Sequence, residues 1–116
     1  MILIMPSWAW AENYLCISDG AAGFRVENEE YKPTVSTGGD KYIVSVENGT
    51  VTPHGREGPI VSNCQNHDNR IYCTGFTTFF VHKSNLRFMR FHTTYGYAYA
   101  NNDDTPFVEI GVCTKF

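Results

Sequence analysis

Hydrophobic and polar positions alternate along this chain in short runs separated by glycine, proline, asparagine and aspartate. No stretch sustains the i, i+3, i+4, i+7 spacing that would line one face of a helix, so the pattern predicts strands throughout. Lys41 to Glu47 is the plainest of them. Tyr42, Val44 and Val46 alternate there with Lys41, Ile43 and Ser45, and Asn48-Gly49 predicts a hairpin into Thr50 to Thr52. Before it, Asn13 to Ser18 reads as a strand ended by an Asp19-Gly20 turn, and Gly23 to Glu27 as a second with Phe24 and Val26 on one face. A turn through Glu27 to Glu30 leads to Tyr31 to Ser36, an edge strand because Pro33 has no N–H for a ladder.

Further along, His54 to Pro59 reads as loop, Ile60 to Ser62 as a brief pairing, and the polar run Asn63 to Arg70 as an exposed tip. Ile71 to Thr74, Thr77 to Lys83, Leu86 to His92, Tyr95 to Tyr99 and Phe107 to Cys113 then read as strands, with Asn101 to Pro106 a polar turn. The fold class predicted is all-β, a small antiparallel barrel or sandwich of about eight short strands, with closure preferred because it removes exposed sheet edges.

The first residues break the pattern and predict the compartment. Met1 to Met5 is apolar, Pro6 and Ser7 interrupt it, and Ala9-Trp10-Ala11 is a small-x-small sequence directly before polar Glu12. Residues 1–11 read as the remnant of a signal peptide cut after Ala11, lacking the usual basic start; the competing reading is a buried first strand, Met1 to Met5. Residues 12–116 form one β domain, for no linker or repeat divides them. Cleavage would remove Trp8 and Trp10, the only two tryptophans. No other segment approaches the roughly 18 to 20 apolar residues of a membrane helix, so a periplasmic or secreted product is the expectation.

An oxidising compartment gives the four cysteines a structural use. Four cysteines allow three pairings, of which the favoured one joins Cys64 to Cys73, closing a short polar loop, and Cys16 to Cys113, joining the first and last strands of the mature domain. The rival for the first pair, a metal site of Cys64, His67 and Cys73, has wider spacing than the two to four residues usual between zinc cysteines. No metal and no cofactor is expected. With a net charge of -3 and a pI near 5.7 the chain has no general attraction for phosphate backbones, which removes nucleic acid as a partner.

Catalytic patterns are absent. The serines include no G-x-S-x-G elbow, and His54, His67, His82 and His92 fall in no recognised spacing. His82 and His92 flank one strand, and a small envelope enzyme using them is one alternative function. The oxygen-rich runs Asn101 to Asp104 and Asn66 to Asn69 lack the spacing of an EF-hand loop and read as solvated turns. Two surface features point to binding instead. Tyr95, Tyr97 and Tyr99 share one strand face, and Lys83, Arg87 and Arg90 make a basic stripe in an acidic protein.

Tyr14-x-Cys16, Gly23-Phe24, Lys41-Tyr42, the pair Cys64 and Cys73, Asn85-Leu86-Arg87-Phe88, Gly96-Tyr97, and the ending Asp104-Thr105-Pro106 with Gly111-x-Cys113-Thr114-Lys115 together resemble small exported proteins of Gram-negative bacteria, notably alphaproteobacteria. That resemblance implies export and paired cysteines and assigns no site. A looser one is to the periplasmic C-type lysozyme inhibitors, disulfide-bonded β-barrels whose mature domain also begins near a Tyr-x-Cys; Ser36 to Tyr42 roughly echoes their inhibitory loop. It implies inhibition of a cell-wall hydrolase, with Thr37 to Lys41 entering an acidic glycosidase cleft. The leading expectation is a non-catalytic secreted or periplasmic module that binds a protein or an envelope component.

Overall fold

The structure, a computed structural model, describes residues 12–56, 58–75, 77–92 and 106–116. These form an all-β, antiparallel, nearly closed barrel of eight strands with a ninth strand alongside. In chain order the strands are β1 (Asn13–Glu27), β2 (Glu30–Thr37), β3 (Lys41–Ser45), β4 (Thr50–Pro53), β5 (Cys64–Asn66), β6 (Arg70–Cys73), β7 (Thr78–His82), β8 (Arg87–His92) and β9 (Phe107–Lys115). Around the barrel the order is β4-β3-β1-β9-β8-β7-β6-β5, and β2 pairs with β1 beyond the end of β3. The wall closes where the chain entering β5 lies against β4. There Val51 donates to the Val61 carbonyl at 2.9 Å, Ile60 to the Val51 carbonyl at 2.8 Å, and Cys64 to the Gly49 carbonyl at 3.2 Å.

Three local expectations are corrected. Asp19-Gly20 does not end a strand: β1 runs unbroken for 15 residues, and its register against β9 shifts by one between Ser18 and Gly20. A β-bulge absorbs the extra residue and swaps which side chains face inward, so Tyr14, Cys16 and Ser18 point into the barrel before it and Ala21 and Gly23 share the inward register after it. Cys64 to Asn66 is a strand within the run read as a tip, because its backbone completes the seam with β4 and β6, while Gln65 to Arg70 are exposed as that reading expected. The Asn48-Gly49 hairpin forms, but through a four-residue connection closed by Ser45 and Thr50 in which Gly49 takes φ 67°. The tight two-residue turn falls instead at Asn28-Glu29, both at positive φ (52° and 65°), where the flanking strands' twist demands that geometry.

Pro33 does lie in an edge strand. Phe24, its partner, sends its N–H away from β2 to the Pro106 carbonyl at 3.1 Å, so the position occupied by Pro33 faces the free edge and loses no ladder bond. Tyr95 to Tyr99 lies outside the described residues.

The core is the inner face of the wall. Phe79 and Phe88 stack with ring centroids 5.1 Å apart, and Tyr42 meets both edge-on at 5.6 and 5.9 Å. Val44, Val51, Val61, Ile71 and Val81 fill the rest. Gly111 lets Phe88 cross β9: a Cβ there would overlap the Phe88 ring and the Ile17 carbonyl.

Both disulfides form as expected, Cys16–Cys113 between β1 and β9 and Cys64–Cys73 between β5 and β6. Each joins residues directly opposite one another. Cys113 donates its N–H to Leu86 and Cys64 donates to Gly49, so both cysteines turn their backbone away from their disulfide partners. These are therefore the narrow, non-hydrogen-bonded positions of the ladder, with Cα atoms 4.0 and 3.9 Å apart. Their sequence separations are 97 and 9. Chain-entropy arguments assign about 5 kcal/mol to the first and about 3 kcal/mol to the second. Replacing Cys16 and Cys113 together by alanine is expected to cost about 2 kcal/mol more than the same change at Cys64 and Cys73, read from chemical-denaturation midpoints.

Candidate binding surface

The strand alternation that fills the barrel also decides its outer face, and over β6 to β9 that face is apolar. Tyr72, Phe80, Met89 and Ile110 stand directly opposite one another on consecutive strands, forming a straight row across four of them. Tyr72 is 37% exposed, Met89 44% and Ile110 50%. A second row begins at Phe91 and Val108 and passes through Ala22 to Val35 on β2, which is 81% exposed. Between the β1–β2 arm and β9 the surface dips into a depression of about 330 Å³ lined by Gly20, Ala22, Val35, Val108 and Ile110. A neighbouring depression of about 280 Å³ continues past Asp19 and Ile110 to Met89, Phe80 and Arg87.

On the other side of the first row, β6, β7 and β8 carry Arg70, His82 and Arg87, again directly opposite one another. Only part of the expected basic stripe belongs to this face. Arg87 points outward. Lys83 lies in the turn after β7 with its Nζ 3.2 Å from the Glu12 carboxylate. Arg90, the residue next to Met89 and so on the strand's other side, turns into the barrel. Arg70, read from sequence as the end of a loop, replaces them; the signal was its place at the start of an alternating run, and only the register of β6 against β7 shows that it lines up with Arg87. The tyrosine row Tyr95, Tyr97 and Tyr99 lies outside the described residues. His82 and His92 are not brought together: His82 is on the outer face with Nδ1 3.0 Å from the Ser84 hydroxyl, whereas His92 is buried inside, stacked on Phe107 with centroids 5.8 Å apart.

Inside the barrel, towards the end where β1 and β2 extend, Glu109 is nearly sealed from solvent and satisfied from two sides. Tyr42 donates its hydroxyl to Glu109 Oε1 at 2.6 Å, and Arg90 Nε donates to the same oxygen at 3.0 Å. The Arg90 guanidinium also sits 4.6 Å from the Phe107 ring centroid and 5.3 Å from that of Tyr42. A depression of about 240 Å³ bounded by Thr34, Ser36, Asp40, Arg90 and Phe107 lies over this cluster. The loop from Gly38 to Asp40 borders it, held by Gly39 N–H to the Ser18 carbonyl at 2.9 Å and Ser18 N–H to the Asp40 carbonyl at 2.8 Å. A carboxylate already engaged by a phenol and a guanidinium is an anchor for the wall and a poor general base. The sulfurs of Cys64 and Cys73 are spent on each other, which leaves the Cys64, His67 and Cys73 set without thiolates to offer a metal.

Burial, and then the bond to Glu109, push the Tyr42 phenol well above its ordinary value; burial, and then Glu12, push Tyr14 up to about 12. For Glu12, burial alone would raise the carboxyl, but the bonds from Lys83 and Tyr14 and the charges of Lys83 and Lys115 together bring it below the usual range. Raised phenols contribute their stability below the unfolded tyrosine value of about 10 and lose it as the pH climbs through the folded values. Absorbance titration should therefore find Tyr14 and Tyr42 still protonated where an unfolded chain's tyrosines ionise, with stability falling from about pH 10 upward. Glu109→Gln should destabilise the protein by about 3 to 5 kcal/mol, because it strands the Arg90 charge; denaturant titration of the oxidised protein measures it.

No family model matches the chain, and no curated protein or solved structure is found to match it, so its surface chemistry and not a relative carries the functional argument.

Proposed function

We propose that this protein is an exported, non-catalytic binding module that holds a protein or an envelope component on the outer face of β6 to β9. The observation that carries the proposal is the row Tyr72, Phe80, Met89 and Ile110, continuous across four strands, half-buried at Phe80 and exposed at the other three, on a domain whose core cluster is separate from it. Contiguous apolar surface of this kind, edged by arginine, has the composition of protein interfaces. The buried polar cluster argues against turnover, since its carboxylate is held by Tyr42 and Arg90, and the two histidines considered for catalysis are on opposite faces of the sheet.

Export rests on the leader pattern together with the two disulfides, which suit an oxidising compartment. Among the described residues no helix is long and apolar enough to cross a membrane. Glu12, which cleavage after Ala11 would make the first residue, is tied to the domain by its carbonyl, which accepts the Val46 N–H at 3.1 Å, and by its carboxylate at Lys83. A chain starting there keeps its first residue in place.

Two measurements test these statements. The protein recovered from its native envelope should begin at Glu12 by amino-terminal sequencing and show tyrosine but not tryptophan emission; a cytosolic product with its leader and four titratable thiols would overturn export. Components that co-purify with the oxidised protein should be lost when Met89→Asp and Ile110→Asp are introduced together. Their full retention would remove this face as the site.

A further inference from the structure

We propose that the partner on this face is a protein segment bearing an apolar ridge flanked by carboxylates, the carboxylates being received by Arg70 and Arg87. This rests on the reading of β6 to β9 as the binding face and adds the chemistry of what sits there. Two residues of strand separate the Arg70, His82 and Arg87 row from the Tyr72, Phe80 and Met89 row, a spacing of about 7 Å. An extended or helical ridge lying along the apolar row would thus carry its flanking side chains over the arginines.

The charges on this molecule make those arginines conspicuous. Lys and Arg number 9 against 12 Asp and Glu, and the basic groups near carboxylates are used: Arg25 with Glu27, Lys32 with Glu30, Lys83 and Lys115 with Glu12, and Arg90 with Glu109. Among the described residues Lys41, Arg56, Arg70 and Arg87 pair with no carboxylate, and of these Arg70 and Arg87 are the two that stand exposed beside the row Tyr72, Phe80 and Met89. Guanidinium groups next to desolvated apolar surface suit bidentate capture of a carboxylate.

A second copy of the chain fits less well. Related by a two-fold axis through the apolar row, it would lay its Phe91 and Val108 over the arginines and bring them no acid. Strand addition is also disfavoured as the mode of capture, because Pro33 removes a donor from the free edge of β2. Recognition therefore runs through side chains on the sheet face.

The test selects binders from a phage-displayed library of random linear peptides against the oxidised protein, then titrates the synthesised winners. Aspartate or glutamate beside apolar residues should be enriched. Affinity should fall by roughly tenfold or more for the Arg70→Glu, Arg87→Glu double variant and recover when lysine replaces the acids in the peptide. Both positions are exposed, so unchanged thermal unfolding of the variant serves as the control for folding. Peptides that bind the double variant as well as the wild type, yet lose binding to Met89→Asp, would overturn the acidic partner and leave the face standing as a site. Peptides indifferent to Met89→Asp as well would overturn both. Failure to select any peptide, with or without binding to phosphatidylglycerol vesicles, would overturn the proposal in favour of a lipid surface or of no partner on this face.

Discussion

A barrel of short strands holds together only if its wall returns to itself, and here the return depends on the backbone of one short segment. Val61 and Cys64 bond to β4 through Val51 and Gly49 while Cys64 is joined through its sulfur to Cys73 on β6. The seam is thus secured on one side by hydrogen bonds and on the other by a covalent bond. The second disulfide fastens β1 to β9 in the same manner, at a ladder position where the strands approach most closely. With strands of only a few residues on much of the wall, few ladder bonds hold any one pair, and the cross-links restrict the unfolded chain where a small core contributes little.

Closure sets the terms for the interior. The space inside is filled by the stacked rings of Phe79 and Phe88 with Tyr42 against their edges, and Gly111 is the concession that makes room for them. Tyr42 then performs a second task, since its hydroxyl reaches Glu109 and links the aromatic core to the ion pair with Arg90. A charged pair at that depth is tolerated because each group finds several partners: a phenol for the carboxylate, two ring faces for the guanidinium.

Once the inner positions are assigned, the period of two sends every intervening side chain outward, and on β6 to β9 those include the row Tyr72, Phe80, Met89 and Ile110 beside the row Arg70, His82 and Arg87. A domain whose core is satisfied has no folding reason to retain this row, which is the physical basis for reading it as a contact surface. The bulge at Asp19 contributes, because it lets β1 leave the barrel and carry β2 out as an arm whose Val35 extends the same apolar surface.

Local pattern determined much of this protein: alternation gave the all-β class and most strand positions, and the missing N–H of Pro33 gave the edge character of its strand. Those are local properties, written in the spacing of side chains along the backbone. The cysteine pairing, by contrast, was one of three the sequence allowed and was decided by the fold. What tertiary structure decided beyond that is phase and register. Asp19-Gly20 has the composition of a turn, yet pairing on both sides of β1 converts it to a bulge. Lys83, Arg87 and Arg90 look like one stripe in sequence, but an odd step along a strand sends Arg90 inside, and a turn delivers Lys83 to Glu12. Arg70 joins Arg87 only because β6, β7 and β8 align as they do. No window of sequence encodes which residue of one strand lies opposite which residue of the next, since that is set by closing the whole wall, and the candidate surface is made of such oppositions.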